Sequence, residues 1–376
     1  MILANGMIMI GDFQLKQCDL QIEGGKIVRI DEKLEDSEKL DMTGKYILPG
    51  FIDTHLHGAG GVRIDDDQPD LSALTDYEAT KGVTSIAITT FCPPFDRLLK
   101  QFNLVADFVA DLKEKRTGCK IAGIHAEGPF LCARAGKNTV VPTIEKLDLM
   151  IEHGQGLLKI ITVSPEMEDA ENIIQHAVSR GLTVSLGHTD ADYETTRRAI
   201  EAGATQATHT FNAARAYNHR EPGILGAVLT HSEVTCEMIC DYVHLHPATV
   251  KLIYQLKGPE RINLISDSTT VAGTDMKTFV VNGETRYVID GIARSADGSI
   301  SGSTKTLYDD VRNLLKSGYP LEHVSRMASL NPARSLKLDQ VTGSIEVGKA
   351  ADLVVLNGDY DVEATYVDGE CVYRRG

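Results

Sequence analysis

The chain has 376 residues, of which 42% are apolar and 24% are charged. This balance is typical of a globular protein with room for one large domain and a small second one, and it excludes a disordered or fibrous chain. The formal net charge of −15 disfavours non-specific binding to nucleic acid or anionic lipid, so an anionic substrate would need a local cluster of positive groups.

The two ends of the chain show the short alternating runs of β-strands, separated by turn residues such as Gly24-Gly25. The runs are at residues 7–10, 18–22, 26–30, 352–356, 364–367 and 370–373. Strands left alone at either end would have unpaired edges, so both ends are expected to assemble together. We predict one small β-sandwich domain built from residues 1–48 and 340–376.

Between the two ends, short apolar β-branched runs alternate with helical stretches, which indicates parallel strands joined by crossover helices. The strand-like runs are at residues 47–53, 84–90, 120–126, 159–164, 183–187, 206–211, 235–241 and 262–267. The helical stretches include residues 71–81, 98–115, 170–180, 193–202, 248–256 and 304–315. Eight such units predict an α/β fold, a TIM-like (β/α)8 barrel over residues 49–339, with a hairpin insertion at about 271–301 over its mouth.

The N-terminus and the cysteines bear on location. The first residues are apolar but are interrupted by Asn5 and Gly6 and lack a basic leader, so we predict no signal peptide and no membrane span. Seven scattered cysteines without a CxxC pair indicate neither a disulfide framework nor a zinc ribbon. We therefore expect the protein to lie in a reducing cytoplasm. We expect it to bind neither a membrane nor nucleic acid.

Polar residues fall at the carboxyl ends of the predicted barrel strands, where barrel enzymes hold their active sites. A lone histidine or acid at such a position is more often a hydrogen-bonded structural residue or a helix cap. Four imidazoles with two carboxylates on one face instead favour a site for Zn²⁺ or a similar divalent metal. These residues are His55 and His57 after run 1, Glu127 after run 3, His188 after run 5, His209 in the last part of run 6, and Asp267 at the end of run 8.

Several motifs resemble a known family. Residues 49–58 (PGFIDTHLHG) resemble the first-strand motif of the amidohydrolase superfamily, and residues 343–354 resemble its C-terminal β segment. Four further segments resemble, more narrowly, the N-acetylglucosamine-6-phosphate deacetylase family: 125–130 (HAEGPF), 186–189 (LGHT), 208–213 (THTFNA) and 266–269 (SDST). The resemblance runs nearly end to end.

The resemblance implies hydrolysis of N-acetylglucosamine 6-phosphate to glucosamine 6-phosphate and acetate, in amino-sugar catabolism and cell-wall sugar recycling. It also implies a homodimer with one or two divalent ions per subunit, Zn²⁺ first, then Fe²⁺, Mn²⁺ or Co²⁺. Glu127, His188 and His209 would bind the principal ion, and Asp267 would act as the proton shuttle. His55 and His57 would support a second ion.

The fourth strand-like run narrows the family. Many superfamily members bridge two metals with a carbamylated lysine at the end of strand 4. Here that strand ends in Val163-Ser164-Pro165-Glu166, and its only lysine, Lys159, is at the other end. By resemblance Glu127 takes that role, which argues against dihydroorotase-like and hydantoinase-like activities.

The substrate contacts come from the resemblance. Asn212, Ala213 and Arg220 match the family's sugar-phosphate contacts. His244 matches a substrate-binding histidine, and Gly302 lies in a matching backbone segment. Arg220 suits phosphate through its bidentate fork, although a surface ion pair with Glu221 is the alternative.

This chain also departs from the family at two places. Tyr242 stands where the family usually has glycine, so an aromatic ring would crowd or reshape that loop. The second departure is Gly136-Lys137-Asn138, where the family often has a Gly-Ala-His-like or Gly-Ala-Gln-like segment near the phosphate. Lys137 is either a further phosphate contact or a solvated side chain. These departures leave open N-acetylgalactosamine 6-phosphate or another N-acyl compound as substrate. A catalytically inactive amidohydrolase-fold scaffold is a remote alternative. Such a protein should lack part of the ligand set, and this chain keeps all six of the residues named above.

Overall fold

A computed structural model describes residues 1–35, 38–112, 117–132 and 138–376. Within these ranges, eight parallel strands pair in chain order into one sheet, and they are called barrel strands 1 to 8. Their bounds are Phe51–Leu56, Val83–Phe91, Lys120–Glu127, Leu158–Val163, Thr183–Leu186, Gln206–Ala207, Thr235–Met238 and Ile262–Leu264. The predicted α/β barrel is confirmed.

The barrel closes through the segment that follows barrel strand 8. The backbone N–H of Asp267 donates to the carbonyl of His55 at 2.9 Å, and that of His57 donates to the carbonyl of Ser268 at 2.8 Å. These two bonds join the carboxyl ends of the last and first barrel strands. Closure therefore brings Asp267 directly beside His55 and His57.

Helices cover the outside of the barrel and bury their apolar faces against it. The helix Phe95–Asp111, for example, buries Leu98, Phe102 and Val105. The other helices are Leu71–Ala79, Ile144–His153, Ala170–Ser179, Tyr193–Glu201, Gly223–Thr230, Pro247–Lys257, Leu307–Lys316, Leu321–Ala328 and Leu330–Ser335, with a 3-10 turn at Pro259–Arg261. Among the described residues, no helix combines the length and the apolar character needed to cross a membrane.

A second sheet joins the two ends of the chain, as predicted. Its strands are Ile2–Ile10, Gln14–Glu23, Lys26–Asp31, Lys39–Asp41, Tyr46–Pro49, Leu353–Leu356, Val362–Val367 and Glu370–Arg374. Tyr46–Pro49 pairs with the first N-terminal strand on one side and with Leu353–Leu356 on the other. Apolar residues from both ends, including Ile8, Ile47 and Val355, form a single core. The exact domain limits, 1–48 with 340–376 and 49–339, stay a prediction.

Gly50 separates this sheet from the barrel, so the predicted run at 47–53 is divided between two sheets. A Cβ atom at Gly50 would lie 2.1 Å from Cγ2 of Thr84 on barrel strand 2. Only glycine fits where the chain passes so close to a neighbouring strand.

The insertion over the barrel mouth contains three antiparallel strands, Thr278–Val281, Glu284–Ile289 and Ile292–Arg294, where the sequence indicated two. Two side-chain bonds hold it to the mouth. Arg63 Nη1 donates to the carbonyl of Val280 at 2.8 Å, and Asn282 Nδ2 donates to the carbonyl of Phe91 at 3.1 Å. The paired strands Gly58–Ala59 and Val62–Arg63 lie at the same end of the barrel.

Several barrel strands end earlier than predicted. Barrel strand 6 ends at Ala207, so placing His209 in its last part is wrong, and barrel strand 8 ends at Leu264. His188, His209 and Asp267 have φ angles of 50°, 28° and 49°, which are left-handed values that a strand cannot contain. Such backbone strain is costly and is characteristic of functional sites. The three residues nevertheless lie at the face that the sequence predicted.

Glu78 is a buried acid in the helix Leu71–Ala79. Its side chain is 1% exposed, and neither carboxyl oxygen has a hydrogen-bond partner among the described residues. Burial raises the pKa of Glu78 to about 8, and the nearby Asp53 adds to that effect. The folded protein therefore holds a proton on Glu78 at pH values where the unfolded chain has released it.

Glu78→Gln is expected to stabilise the protein increasingly as the pH rises from 5 to 8. Between the ordinary pKa of a glutamate and the raised pKa, the folded state binds more protons, so the wild-type free energy of unfolding falls with pH by up to roughly 1.4 kcal/mol per unit. The glutamine variant lacks this loss. Urea unfolding at pH 5 and pH 8 measures it, with the exposed Glu152→Gln as control. A stability difference that does not change with pH would contradict the assignment.

Candidate metal centre and substrate pocket

Glu127, His188 and His209 meet at the carboxyl end of the barrel, and all three are buried. Nε2 of His188 lies 2.7 Å from Glu127 Oε1, and Nε2 of His209 lies 3.0 Å from the same oxygen. The two Nε2 atoms are 2.9 Å apart. Barrel strand 3 and the segments that directly follow barrel strands 5 and 6 thus bring three donor atoms together at the face that the sequence predicted.

His55, His57 and Asp267 form a second group of donor atoms beside the first. Nε2 of His57 lies 3.2 Å from Glu127 Oε2 and 3.3 Å from Asp267 Oδ1. Nε2 of His55 lies 3.4 Å from Glu127 Oε1 and 3.8 Å from Asp267 Oδ1. Within each group the donor atoms are all less than 4.8 Å apart. Glu127, a member of the first group, also contacts both histidines of the second.

These donors suit a divalent metal. Imidazole nitrogens and carboxylate oxygens are the ligands that Zn²⁺ and related ions accept. The Nε2 atoms of His188 and His209 point at each other. Two imidazoles can form at most one hydrogen bond through these atoms, whereas both nitrogens could bind the same metal ion. In addition, Nε2 of His55 is buried and has no hydrogen-bond partner in the described part of the chain. The residues present therefore fit one ion, with positions for a second.

The electrostatics of the site favour positive charge between its carboxylates. Burial alone would raise the pKa of Glu127, but the imidazole of His55 holds that pKa well below its usual range. Burial likewise opposes charge on His55, yet Glu127 and Glu237 raise its pKa well above the ordinary value. Burial would also raise the pKa of Asp267, but the hydrogen bond from His57 lowers it to about 2. Protons or a cation can supply the favoured charge.

A cavity of about 520 Å³ opens onto this centre. Four of the predicted substrate contacts line it: Asn212, Ala213, His244 and Gly302. The structure therefore brings these four predicted substrate residues into the cavity that is also lined by Glu127, His188 and His209. Beyond these, the hairpin insertion contributes Phe279, Arg286 and Ile300 to the lining.

The cavity wall near His244 is held by a buried carboxylate. His244 Nδ1 donates to Asp241 Oδ2 at 2.8 Å, and Ser303 Oγ donates to the same oxygen at 2.9 Å. Gly302 has a φ of 69°, and a Cβ atom there would lie 2.3 Å from Thr269 Cγ2. Only glycine fits at this position, because the backbone is left-handed and crowded.

Two predicted substrate residues are not in the described pocket. Arg220 is exposed and outside the cavity lining, and its backbone N–H donates to Asn218 Oδ1 at 2.9 Å. Lys137 lies outside the described residues. The hydroxyl of Tyr242 donates to the carbonyl of Asn313 at 3.1 Å, and its side chain lies outside the cavity lining. The backbone at Tyr242 has a left-handed φ of 61°, the conformation that glycine favours.

The sequence reading missed several residues near the site. Glu237 on barrel strand 7 and His125 on barrel strand 3 are fully buried and contact His55. A signal existed for Glu237, because a charged residue inside an apolar strand is rarely buried without a partner. Arg63 and Arg286 also line the cavity, but nothing in their local sequence distinguishes them from surface arginines.

The sequence pattern of the amidohydrolase family matches residues 46–372. The chain belongs to the amidohydrolase family. A divalent metal is implied by this membership, and the histidine and carboxylate groups described above could bind one.

Relatives of known activity and structure agree with this assignment. This amidohydrolase is 33% identical to N-acetylglucosamine-6-phosphate deacetylase of Vibrio furnissii, over 87% of this chain and 83% of the relative. It is 32% identical to N-acetylgalactosamine-6-phosphate deacetylase of Escherichia coli O157:H7, over 96% of this chain and 95% of the relative.

Two solved structures share the whole fold. The N-acetylglucosamine-6-phosphate deacetylase of Pasteurella multocida has a TM-score of 0.92 at 29% identity, covering 100% of this chain and 99% of its own. A mutant of the Mycobacterium smegmatis enzyme, in complex with N-acetyl-D-glucosamine-6-phosphate, has a TM-score of 0.90 at 32% identity, covering 99% of each chain. The predicted resemblance to the deacetylases is confirmed.

Proposed function

We propose that this amidohydrolase hydrolyses the acetamide of N-acetylglucosamine 6-phosphate, releasing acetate and glucosamine 6-phosphate. The observation that carries the proposal is the convergence of Glu127, His188 and His209 beside Asp267, in a cavity that also holds His244. The deacetylase relatives named above support the same reaction.

Glu127, His188 and His209 would hold the principal ion, with Zn²⁺ the first candidate and Fe²⁺, Mn²⁺ or Co²⁺ as alternatives. His55 and His57 would support a second. The chemistry that such an ion supplies is acidification of water and polarisation of a carbonyl oxygen.

Asp267 would move the protons of the reaction. Its Oδ1 lies 3.3 Å from His57 Nε2, and its side chain lines the cavity. The backbone bond from Asp267 to the carbonyl of His55 holds it at this position. Asp267 would accept a proton from the attacking water and deliver one to the departing amine nitrogen.

His244 and Asn212 would orient the sugar. A carboxylate can only accept, so the bond between His244 and Asp241 makes Nδ1 of His244 the donor and leaves Nε2 for the substrate. The backbone N–H of Asn212 donates to the carbonyl of His209, which ties this contact to the proposed metal ligand.

The phosphate role of Arg220 comes from the family resemblance alone, because the residue lies outside the cavity lining of this chain. On that assignment, Arg220→Ala is expected to raise KM for the phosphorylated sugar by roughly tenfold to a hundredfold, the effect of losing a charge-assisted hydrogen bond. KM for the unphosphorylated sugar should stay near wild type. Arg63→Ala and Arg286→Ala are the matched comparisons, because these arginines line the cavity but already pair with Asp66 and Glu284. Equal KM changes for both sugars in Arg220→Ala would remove it from the phosphate site.

The reaction is tested by measuring acetate release from N-acetylglucosamine 6-phosphate, its galacto epimer and the unphosphorylated sugars, with a panel of metals. The galacto epimer is a second candidate, because the N-acetylgalactosamine-6-phosphate deacetylase of Escherichia coli O157:H7 is 32% identical to this chain over 96% of its length. No acetate from any of these sugars under any metal would refute the proposal and leave another N-acyl compound or an inactive scaffold.

A homodimer in the cytoplasm is part of the proposal. Analytical ultracentrifugation of the metal-loaded protein measures the oligomeric state, and a single species at the mass of one chain would remove the dimer.

A further inference from the structure

Glu237 is a buried carboxylate on barrel strand 7 that contacts both groups of proposed ligands. Its Oε2 accepts a hydrogen bond from Nδ1 of His55 at 2.9 Å and another from the backbone N–H of His209 at 3.0 Å. Its side chain is 0% exposed, and Glu237 is not in the cavity lining. Glu237 therefore acts on the site only through the residues it holds.

The contact to His55 determines which nitrogen of that ring faces the site. A carboxylate can only accept, so Nδ1 of His55 donates, and Nε2 of the neutral ring carries no proton. Nε2 is the atom directed at Glu127 and Asp267. Carboxylates that bond the far nitrogen of a ligating histidine orient the ring and increase its basicity toward a metal.

The contact to His209 holds the backbone at the point where barrel strand 6 has ended. The strand stops at Ala207, and His209 has a left-handed φ of 28°. The backbone N–H groups of Thr208 and Thr210 still donate to the carbonyls of Leu186 and Glu237, but the N–H of His209 between them has no backbone acceptor among the described residues. Glu237 accepts the N–H that the sheet leaves unpaired. One oxygen thus fixes a ring on one side of the site and a strained turn on the other.

A chain of polar side chains through the barrel supports Glu237. Its Oε1 accepts from Gln206 Nε2 at 2.8 Å, and Oε1 of Gln206 accepts from Ser335 Oγ at 2.7 Å. Asn263 Nδ2 donates to Ser335 Oγ at 2.8 Å. Barrel interiors are usually filled by apolar layers, and buried polar groups cost stability unless they are satisfied. Glu237 meets this condition, because both of its oxygens accept hydrogen bonds, and two of these come from His55 and His209.

His125 does not turn this cluster into a further metal site. His55, His125 and Glu237 lie close enough to be considered as ligands together. However, Nδ1 of His125 bonds to the carbonyl of Thr54 at 3.0 Å, and its Nε2 bonds to Thr162 Oγ1 at 2.8 Å. Both ring nitrogens of His125 are therefore already used, and the ring packs edge-on against His55 at 4.7 Å between centroids.

We propose that Glu237 is a positioning residue that sets the tautomer and direction of His55 and holds the turn at His209, and so couples the two proposed ion positions. This inference rests on the proposed metal-dependent function. It assigns Glu237 no contact with substrate.

The test is metal binding by the full-length Glu237→Gln variant, measured by elemental analysis after dialysis and by chelator competition with Zn²⁺. Three groups donate to Glu237, namely Nδ1 of His55, the backbone N–H of His209 and Nε2 of Gln206. A glutamine would turn its own N–H toward one of them. The affinity for the ion at His55 should therefore fall tenfold to a hundredfold, the usual effect of losing the hydrogen-bond partner of a metal ligand. The control is Gln206→Met, which removes the contact to Oε1 and leaves the bonds to His55 and His209. Both should lower the Tm of the chelator-stripped protein, but only Glu237→Gln should lose metal affinity.

A double variant and a shorter acid extend the test. In a His55→Asn background, Glu237→Gln should cause no further loss of the second ion, because the ring it orients is gone. Glu237→Asp keeps the charge but is too short to hold both donors, so it should also lose affinity, and it replaces Glu237→Gln if that variant does not fold.

The outcomes separate this inference from the proposed function. A wild-type protein that binds none of the metals offered would refute the proposed function. Wild type that binds metal, with Glu237→Gln binding it equally well, would overturn only the role of Glu237. Equal losses of affinity in Glu237→Gln and Gln206→Met, or failure of both Glu237 variants to fold while Gln206→Met folds, would assign Glu237 to the fold alone.

Discussion

Glu127→Gln is expected to abolish binding of the principal ion and to lower kcat/KM by about a thousandfold or more. The carboxylate of Glu127 faces both ligand groups, with His188 at 2.7 Å, His209 at 3.0 Å and His57 at 3.2 Å. A neutral amide supplies no charge to a divalent cation. Since metal catalysis supplies several kcal/mol and about 4 kcal/mol equals a thousandfold in rate, the loss should be of this size.

The measurement pairs steady-state kinetics with elemental analysis. Glu166→Gln is the matched control, because Glu166 lies at the same end of the barrel and accepts from the backbone N–H of Asp190 at 2.8 Å without contacting the proposed ligands. It should retain metal and turnover. Full metal content in Glu127→Gln would remove Glu127 from the ligand set and, with it, the explanation for the absent strand-4 lysine.

Asp267→Asn should lower kcat by about 10²- to 10⁴-fold while the principal ion stays bound. Asp267 does not belong to the donor group of Glu127, His188 and His209, but it lines the cavity beside that group. Asparagine keeps the shape of the side chain and cannot accept a proton. Turnover should therefore fall while the metal content at the principal site does not.

The exposed Asp275→Asn in the same segment serves as control and should behave like wild type. Turnover within about tenfold of wild type in Asp267→Asn would refute the proton-shuttle role. Loss of all bound metal in Asp267→Asn would instead make Asp267 a principal ligand. Glu127→Gln and Asp267→Asn together distinguish loss of the ion from loss of proton transfer.

Much of the fold could be predicted because it depends on local patterns. Alternating apolar runs and amphipathic stretches report burial directly, so the barrel strands and most of their helices lie close to the predicted segments. Four helices were not among the predicted stretches: Ile144–His153, Gly223–Thr230, Leu321–Ala328 and Leu330–Ser335. The third strand of the insertion, Ile292–Arg294, was also missed, since three residues carry no period of their own.

The metal residues could be predicted because a barrel brings the carboxyl ends of all its strands to one face. His188, His209 and Asp267 were placed at that face, although the strands end before them. Left-handed backbone at these residues depends on the contacts made there, such as the bond from Asp267 to the carbonyl of His55. Local propensity cannot indicate such strain, because isolated non-glycine residues disfavour it.

The sequence by itself determined the type of chemistry. The ability of a histidine or glutamate side chain to bind a metal is a property of the residue type, and it does not depend on how far apart these residues lie in the chain. The relevant residues are the His-x-His pair, a strand-end glutamate and further strand-end histidines. Only the tertiary structure decided which atoms meet. It placed Glu127 in contact with histidines of both donor groups, left Arg220 outside the described cavity, and buried Glu237 against His55 and His209. Those relations join residues far apart in the chain, and they form only when barrel closure brings distant strands within hydrogen-bonding distance.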